Sequence, residues 1–342
     1  MTFYCGMDLS ARDCQVCVID EDLSCLVQQK VRNELPSILR LIEPFKASLQ
    51  IVVESTFNWY WLVDGLQEAG YDVCLAHTLG LYMITGAKVK TDRRDALALA
   101  KLLKAGMIPK AYIYPKDTRP IRDLLRQRSR LVALRGATYG SLRRLLLRQG
   151  LLRHSRNDIK ETTEEDLQRW FAHPLVRLHG QHELERIELF SQQITTLESQ
   201  LLATVQDRPE FHRLLTIPGL GKILAMTIFY EIGPIARFQD AREFASYCRL
   251  VPGVAQSGPV SRRGRHAKQG SPHLKWAFSQ AALYAVRYYP KIRRCFDRHL
   301  GRHRGNGGKL IAYNIIAHKL AQAVYHVLRD GTVYREELLF RS

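Results

Sequence analysis

Three short apolar stretches open the chain: FYCGMDLS at 3–10, QVCVID at 15–20 and LSCLVQQKV at 23–31. Each reads as a strand, and the turn material SARD and DEDL between them makes the three a meander. Helix and strand then alternate. An apolar-periodic helix near 35–46 leads to a buried strand LQIVVES at 49–55, a helix from about 58 to 69 and a strand YDVCLA at 71–76. The segment KVKTDRRDALALAKLL at 88–103 opens a further helix, so the order is βββαβαβ followed by α.

Three antiparallel strands followed by alternating helix and strand are the layout of the ribonuclease H-like fold, an α/β sheet with helices packed against it. Acids fall at telling places on this layout. Asp8 in GMDLS and Glu54 in VVES are lone acids closing apolar strands, and Asp92 and Asp95 share one face of a helix's first turn. Four carboxylates converging there would repel one another unless cations lay between them. Mg²⁺, with Mn²⁺ as its substitute, is the hard, oxygen-seeking ion such a set holds. Two such ions are the arrangement that activates an attacking oxygen and stabilises a leaving one in phosphodiester chemistry. The competing reading makes Asp92 a helix cap and Asp95 a partner for the helix dipole. Lys88, Lys90, Arg93 and Arg94 surround the pair and would draw a polyanion to a site that would otherwise repel it.

Charge divides the chain more sharply than any linker. Residues 1–115 hold 12 basic and 13 acidic groups, whereas 116–342 hold 39 basic and 20 acidic, 31 of the 39 being arginine. Within that second part, 116–156 carries 12 basic against 2 acidic residues, Arg126, Arg143 and Arg144 among them, and 260–304 carries 12 against 1. Arginine's planar fork grips phosphate through two hydrogen bonds, so runs with so few compensating acids favour a nucleic-acid partner over merely solvated helix faces. Neither run has the apolar face that would lie in lipid, which makes an anionic membrane surface the weaker competitor. With 342 residues, 46% of them hydrophobic, the chain can bury two cores. No apolar run approaches the ~20 residues that cross a bilayer, and the N-terminus lacks a signal-peptide pattern, so a cytoplasmic protein is expected. Seven cysteines without a paired framework suit a reducing compartment. Cys14 and Cys17 form a C-x-x-C, but their odd offset puts them on opposite faces of a strand, and packing is favoured over zinc.

The middle of the chain is helical. Residues 118–150 start with a proline suited to a helix beginning and cover the face away from their leucines with arginine. From 181 to 205, Ile187, Phe190, Ile194, Leu197 and Leu201 recur as the seam of a short coiled coil, and 155–180 reads as a polar connector with a small helix. The pair is expected as an antiparallel hairpin or a dimerisation arm, with a plain core helix pair as the alternative, giving three parts: 1–115, 116–208 and 209–342. The last part opens with LLTIPGLGKILAMTIFYEIG at 214–233, a helix-hairpin-helix pattern. Its Gly219 and Gly221 would let backbone N–H groups approach a phosphate beside Lys222; a simple tight turn is the alternative. Residues 238–289 run from a helix through a loop into another helix, and the loop holds Ser257, glycines at 253, 258 and 264, then Arg262, Arg263, Arg265, His266 and Lys268. A hydroxyl among such cations suits a nucleophile attacking phosphorus. Ser261 and Ser271 share the loop, so chemistry alone does not choose among them, and a phosphate-binding loop with no covalent role remains open.

The motifs GMDLS, VVESTFNWYW and KTDRRDALALAKLL, followed by IPGLGKILA, RLVPGVAQSG and RRGRHAKQGSPHLKWA, resemble in set and order those of the DEDD-type insertion-sequence transposases of the IS110 family, which includes the Piv-type DNA invertases. The resemblance covers nearly the whole chain. It implies a RuvC-like first domain in which Asp8, Glu54, Asp92 and Asp95 bind metal, and a mainly α C-terminal transposase domain in which Ser257 joins covalently to DNA. It further implies a homodimer or homotetramer, guided by a structured noncoding bridge RNA that pairs with donor and target DNA, in a bacterial nucleoid. Two departures bear on the loop: Ser257-Gly258-Pro259 stands where many members carry two glycines and a lysine, and Gly270-Ser271 and Leu274-Lys275 replace Gly-Asn and Leu-Arg. Pro259 removes a backbone donor and fixes the turn. The rival expectations are a metal-only nuclease of the Holliday-junction type, with water as nucleophile, and a degenerate nucleic-acid-binding protein.

Overall fold

The computed structural model describes residues 1–85, 92–151, 156–251, 254–257, 260–263, 269–303, 305 and 307–338. They fall into two compact units, Met1–Lys116 and Asp117–Ser342. In the first, Phe3–Leu9 (β1), Asp13–Ile19 (β2) and Cys25–Arg32 (β3) pair antiparallel as the expected meander. Leu49–Glu54 (β4) lies parallel to β1 on its other side, and Asp72–Ala76 (β5) lies parallel to β4. The two-residue Lys110–Ala111 (β6) closes the order β3-β2-β1-β4-β5-β6. The helices are Leu35–Ile42 (α1), Tyr60–Glu68 (α2), Thr78–Thr85 (α3) and Asp92–Lys104 (α4).

Strand alternation gives the sheet two buried faces. Cys5, Met7, Cys14, Val16, Ile51 and Val53 pack with Ile38 and Ile42 of α1 and Leu62, Val63 and Leu66 of α2. On the other side Cys17 and Ile19 meet Ala96 and Ala100 of α4, and Val52 and Ala76 meet Leu99. Cys14 and Cys17 therefore belong to different cores, as their odd offset requires. Burial first, and the Asp8 carboxylate second, push the Cys14 thiol up to about 12, and burial with its neighbour Cys25 does the same for Cys17.

Three details depart from the sequence expectation. The first helix stops at Ile42 and continues to Ser48 as a 3-10 helix, where Pro44 has no N–H to donate to the i−4 carbonyl. Helix α3, TLGLYMIT, has almost no polar residues to mark a period, and β6 is too short to show one.

In the second unit Arg119–Arg148 (α5) and Pro174–Ala203 (α8) are helices of 30 residues each. Between them lie Arg156–Glu161 (α6) and Glu164–Trp170 (α7), the latter entered through a capping box between Thr163 and Asp166. Arg128 pairs with Glu198, Arg135 Nη1 donates to Ser191 Oγ and Ser141 Oγ donates to Glu183. As one partner rises in number the other falls, so α5 and α8 run antiparallel. Helix α8 starts at Pro174, well before the apolar row at 181–205, because His173 caps it and proline suits its first turn. That row is covered within the chain: Ile187 packs with Leu142, Leu145 and Leu146 of α5.

The remaining helices are Pro209–Leu215 (α9), Lys222–Ile232 (α10), Ala241–Tyr247 (α11), Pro272–Tyr288 (α12), Pro290–Arg302 (α13) and Gly308–Asp330 (α14). They share one core, centred on buried residues of α10, α12 and α14, that also takes in Leu125 of α5 and Leu201 of α8. Within the stretch expected as a loop, Val254–Ser257 (β7) and Val260–Arg263 (β8) form a two-stranded antiparallel ribbon. Four-residue strands flanked by glycine and proline give too little alternation to be legible. Among the described residues no helix is long and apolar enough to cross a membrane.

Candidate active site

β1 and β4 are paired through Met7 and Val53, and Asp8 and Glu54 each follow that pair by one residue. Neighbours in register on parallel strands share a face, so the two acids stand side by side where both strands end. Asp8 lies two residues beyond Gly6, and Gly6 marks what covers that face: a Cβ there would come 2.1 Å from Ala96 O and 2.7 Å from Ala100 N of α4. Helix α4 thus lies against the sheet on the Asp8–Glu54 side. Its flank bearing Leu97 and Ala100 packs with Tyr4 and Ile19, at the far end of β1 from Asp8. Asp95 is on the opposite flank of the helix, in the direction of the end that carries Asp8 and Glu54. Asp92, on the same first turn, is exposed and Asp95 half-buried. Gln28 of β3 fastens that turn by donating from Nε2 to Arg93 O at 2.9 Å.

All four positions offer carboxylate oxygen, a donor set that fits Mg²⁺ or Mn²⁺ and not a soft metal. Among the described residues, however, no group of three or more His, Cys, Asp and Glu side chains is gathered closely enough to hold an ion. The strand register puts Asp8 and Glu54 at one end of one sheet face, and Asp92 and Asp95 are on the first turn of the helix that packs on that face. Arg93 and Arg94 are exposed beside them, whereas Lys88 and Lys90 lie outside the described residues.

The other singled-out residues lie in the second unit. Arg143 and Arg144 are exposed on α5. Arg126 is engaged internally: its Nε and Nη2 donate to Glu231 at 2.6 and 2.9 Å, and Glu231 is only 1% exposed. Gly219 has φ +81, and a Cβ there would stand 2.2 Å from Ala281 O, so this glycine lets the turn between α9 and α10 press on the backbone of α12. Gly221 caps α10 and, with Lys222, is exposed.

Ser257 ends β7, paired with Val260, while Ser261 pairs with Gln256. Ser271 is buried and caps α12 through its Oγ, which accepts from Leu274 N at 3.3 Å. Arg262 and Arg263 are on β8; Gly253, Gly258, Pro259, Gly264, Arg265, His266 and Lys268 lie outside the described residues.

The ribbon springs from a fastened stem that sequence reasoning missed. Ser271 N donates to Tyr247 O at 2.8 Å, Arg249 Nε to Gly270 O at 2.9 Å, and Asn314 Nδ2 to Leu250 O at 3.1 Å. Gly270, at φ +89, fits because a Cβ would fall 2.2 Å from Tyr247 O. His273 follows on α12; burial holds its imidazole below the usual histidine range, Glu231 opposes that, and Arg126, Arg122 and Arg249 reinforce it. Only the glycine was a local signal; the partners are distant in sequence.

A sequence model of the family described as Transposase IS116/IS110/IS902 matches residues 211–297, and one for the DEDD transposases of IS110 matches residues 5–149. The chain is homologous to the IS110/IS902-family transposases. The two matches to this family take in the four acids on one side and the α9–α10 turn, Ser257 and the basic residues after it on the other. The chain is 27% identical to a probable family 20 transposase of Pseudomonas aeruginosa, over 96% of its own length and 98% of that protein. It is 24% identical to the pilin gene-inverting protein of Moraxella bovis, over 98% of each. It also matches the putative transposase y4qE of Sinorhizobium fredii at 27% identity, but there it spans only 50% of the relative's length.

Proposed function

We propose that the chain is a DNA transposase or recombinase that cuts and rejoins strands through a phosphoserine at Ser257, with Mg²⁺ or Mn²⁺ bound by Asp8, Glu54, Asp92 and Asp95. The observation that carries this reading is the register that sets Asp8 beside Glu54 on the sheet face covered by α4, whose first turn holds Asp92 and Asp95. A divalent cation at those carboxylates supplies Lewis acidity to the phosphodiester.

The rest is protein chemistry. Ser257 Oγ attacks phosphorus and gives up its proton. The Oγ–P bond forms as the bond to the departing strand breaks, and that strand's oxygen takes up a proton. A hydroxyl of the second duplex then attacks the phosphoserine, and Ser257 regains its proton as the new strand joint forms. One phosphodiester is broken and one made, so no nucleotide cofactor is consumed. Arg262, Arg263, Arg265 and Lys268 offset the charge on the phosphorus oxygens. The donor and target DNA are chosen by a structured noncoding guide RNA, and a homodimer or homotetramer brings the acids and Ser257 to one phosphate. Similarity to the pilin gene-inverting protein over 98% of both chains supports recombination rather than simple cleavage.

The test is Mg²⁺-dependent strand cleavage by Asp8→Asn. Cleavage should fall by about a hundredfold or more while DNA binding persists. Undiminished cleavage in this variant would remove the acids from the mechanism, and wild-type protein that binds without cutting would mark a binding protein.

A further inference from the structure

Helix α12 buries Leu274, Ala277, Phe278, Ala281, Ala282 and Ala285 in the core and turns Trp276, Leu283, Tyr284, Arg287 and Tyr288 outward. The outward residues recur at helical spacing and form one continuous stripe. Large aromatic groups are rarely left in water without a use: Tyr284 is 51% and Tyr288 61% exposed. Their ring centroids are 6.4 Å apart and their planes within 12° of parallel. That separation is within the range of offset-stacked rings, and the exposure of both side chains leaves ring surface accessible to a further ring. The Arg287 guanidinium stands 5.3 Å from the Tyr288 centroid, a cation among the rings.

The surroundings select the occupant. From Arg287 through α13 the exposed cations Arg287, Lys291, Arg293, Arg294, Arg298 and Arg302 face one acid, Asp297. Asp297 is matched to Arg293, and Lys291 to Glu336. A second copy docking face to face would bring this positive surface against itself, which costs free energy. A polyanion meets it favourably, and open ring faces take bases whose own faces are uncovered, which paired bases in a duplex do not offer.

We propose that the α12 stripe, Trp276, Tyr284 and Tyr288 with Arg287 between them, binds unpaired nucleotides by base stacking. Strand exchange exposes such nucleotides, and the inference rests on the nucleic-acid reading above.

The experiment measures binding of the full chain to a labelled oligothymidylate of about 20 nucleotides and to a duplex of equal length. The variants are Tyr284→Ala with Tyr288→Ala, and Tyr284→Phe with Tyr288→Phe. Losing both rings should weaken single-strand binding about tenfold or more and duplex binding less than about twofold, with the salt dependence unchanged; the phenylalanine pair should bind as wild type. Single-strand affinity untouched by the alanine pair, or affinity lost equally for both probes, overturns the proposal; the recombinase reading stands in either case, because the wild-type protein still binds duplex. A smaller sedimenting species with intact single-strand affinity overturns it in favour of a contact between copies. Wild-type protein that binds neither probe sinks both readings together.

Discussion

A methyl group on Gly6 would sit 2.1 Å from the Ala96 carbonyl oxygen, closer than any relaxed contact. Gly6→Ala is therefore expected to lift α4 from the sheet and lower stability by about 1–3 kcal/mol, read as a lower denaturant midpoint. Metal-dependent cleavage should fall with it, since Asp92 and Asp95 ride on α4; an unchanged midpoint would mean the helix yields freely. The lone acids Asp8 and Glu54 were legible because each closes an apolar strand, whereas the close approach at Gly6 depends on Ala96 and Ala100, which are distant in sequence. His273 was not legible, because its neighbours Glu231, Arg126, Arg122 and Arg249 come from other elements. Burial also holds His299 and His318 low. The fold holds these histidines to a lower proton affinity than the unfolded chain, where they take up protons below about pH 6.5. Their stability contribution is thus complete above that value and lost as the pH falls through the depressed folded values. The thermal midpoint should be lower near about pH 5 than near about pH 7.5, with a shallower dependence in His273→Gln; a flat profile would contradict this.

At the scale of elements, the strands and amphipathic helices were readable from their periods, whereas α3, β6 and the β7–β8 ribbon carry no period long or contrasted enough to read. An antiparallel course of α5 and α8 was among the sequence expectations, and pairs such as Arg128 with Glu198 show that course within the chain. A composition count cannot tell which arginines of α5 face a partner and which hold the fold, and Arg126 shows the difference. Its fork closes on the carboxylate of Glu231, buried in α10, and so ties α10 to α5. Arg126→Ala removes two charge-assisted hydrogen bonds from that buried carboxylate and should cost up to about 3 kcal/mol, since Arg126 is itself partly exposed. Arg126→Met combined with Glu231→Gln should recover most of the loss. A double variant no better than the single one would show that the pair matters for its shape and not its charge.

For the whole molecule, charge alone separates a balanced first part from a cationic remainder, and the two compact units divide at nearly the same place. The proposed function has the acids of the first unit and Ser257 of the second serve a single strand-exchange reaction. The direct test is to incubate the protein, guide RNA and labelled DNA with Mg²⁺, denature, and map any DNA-linked peptide. A phosphodiester bond to Ser257, absent in Ser257→Ala although that variant still binds DNA, is the predicted result. Strand cleavage with no protein-linked product, or an adduct that persists in Ser257→Ala, would contradict it.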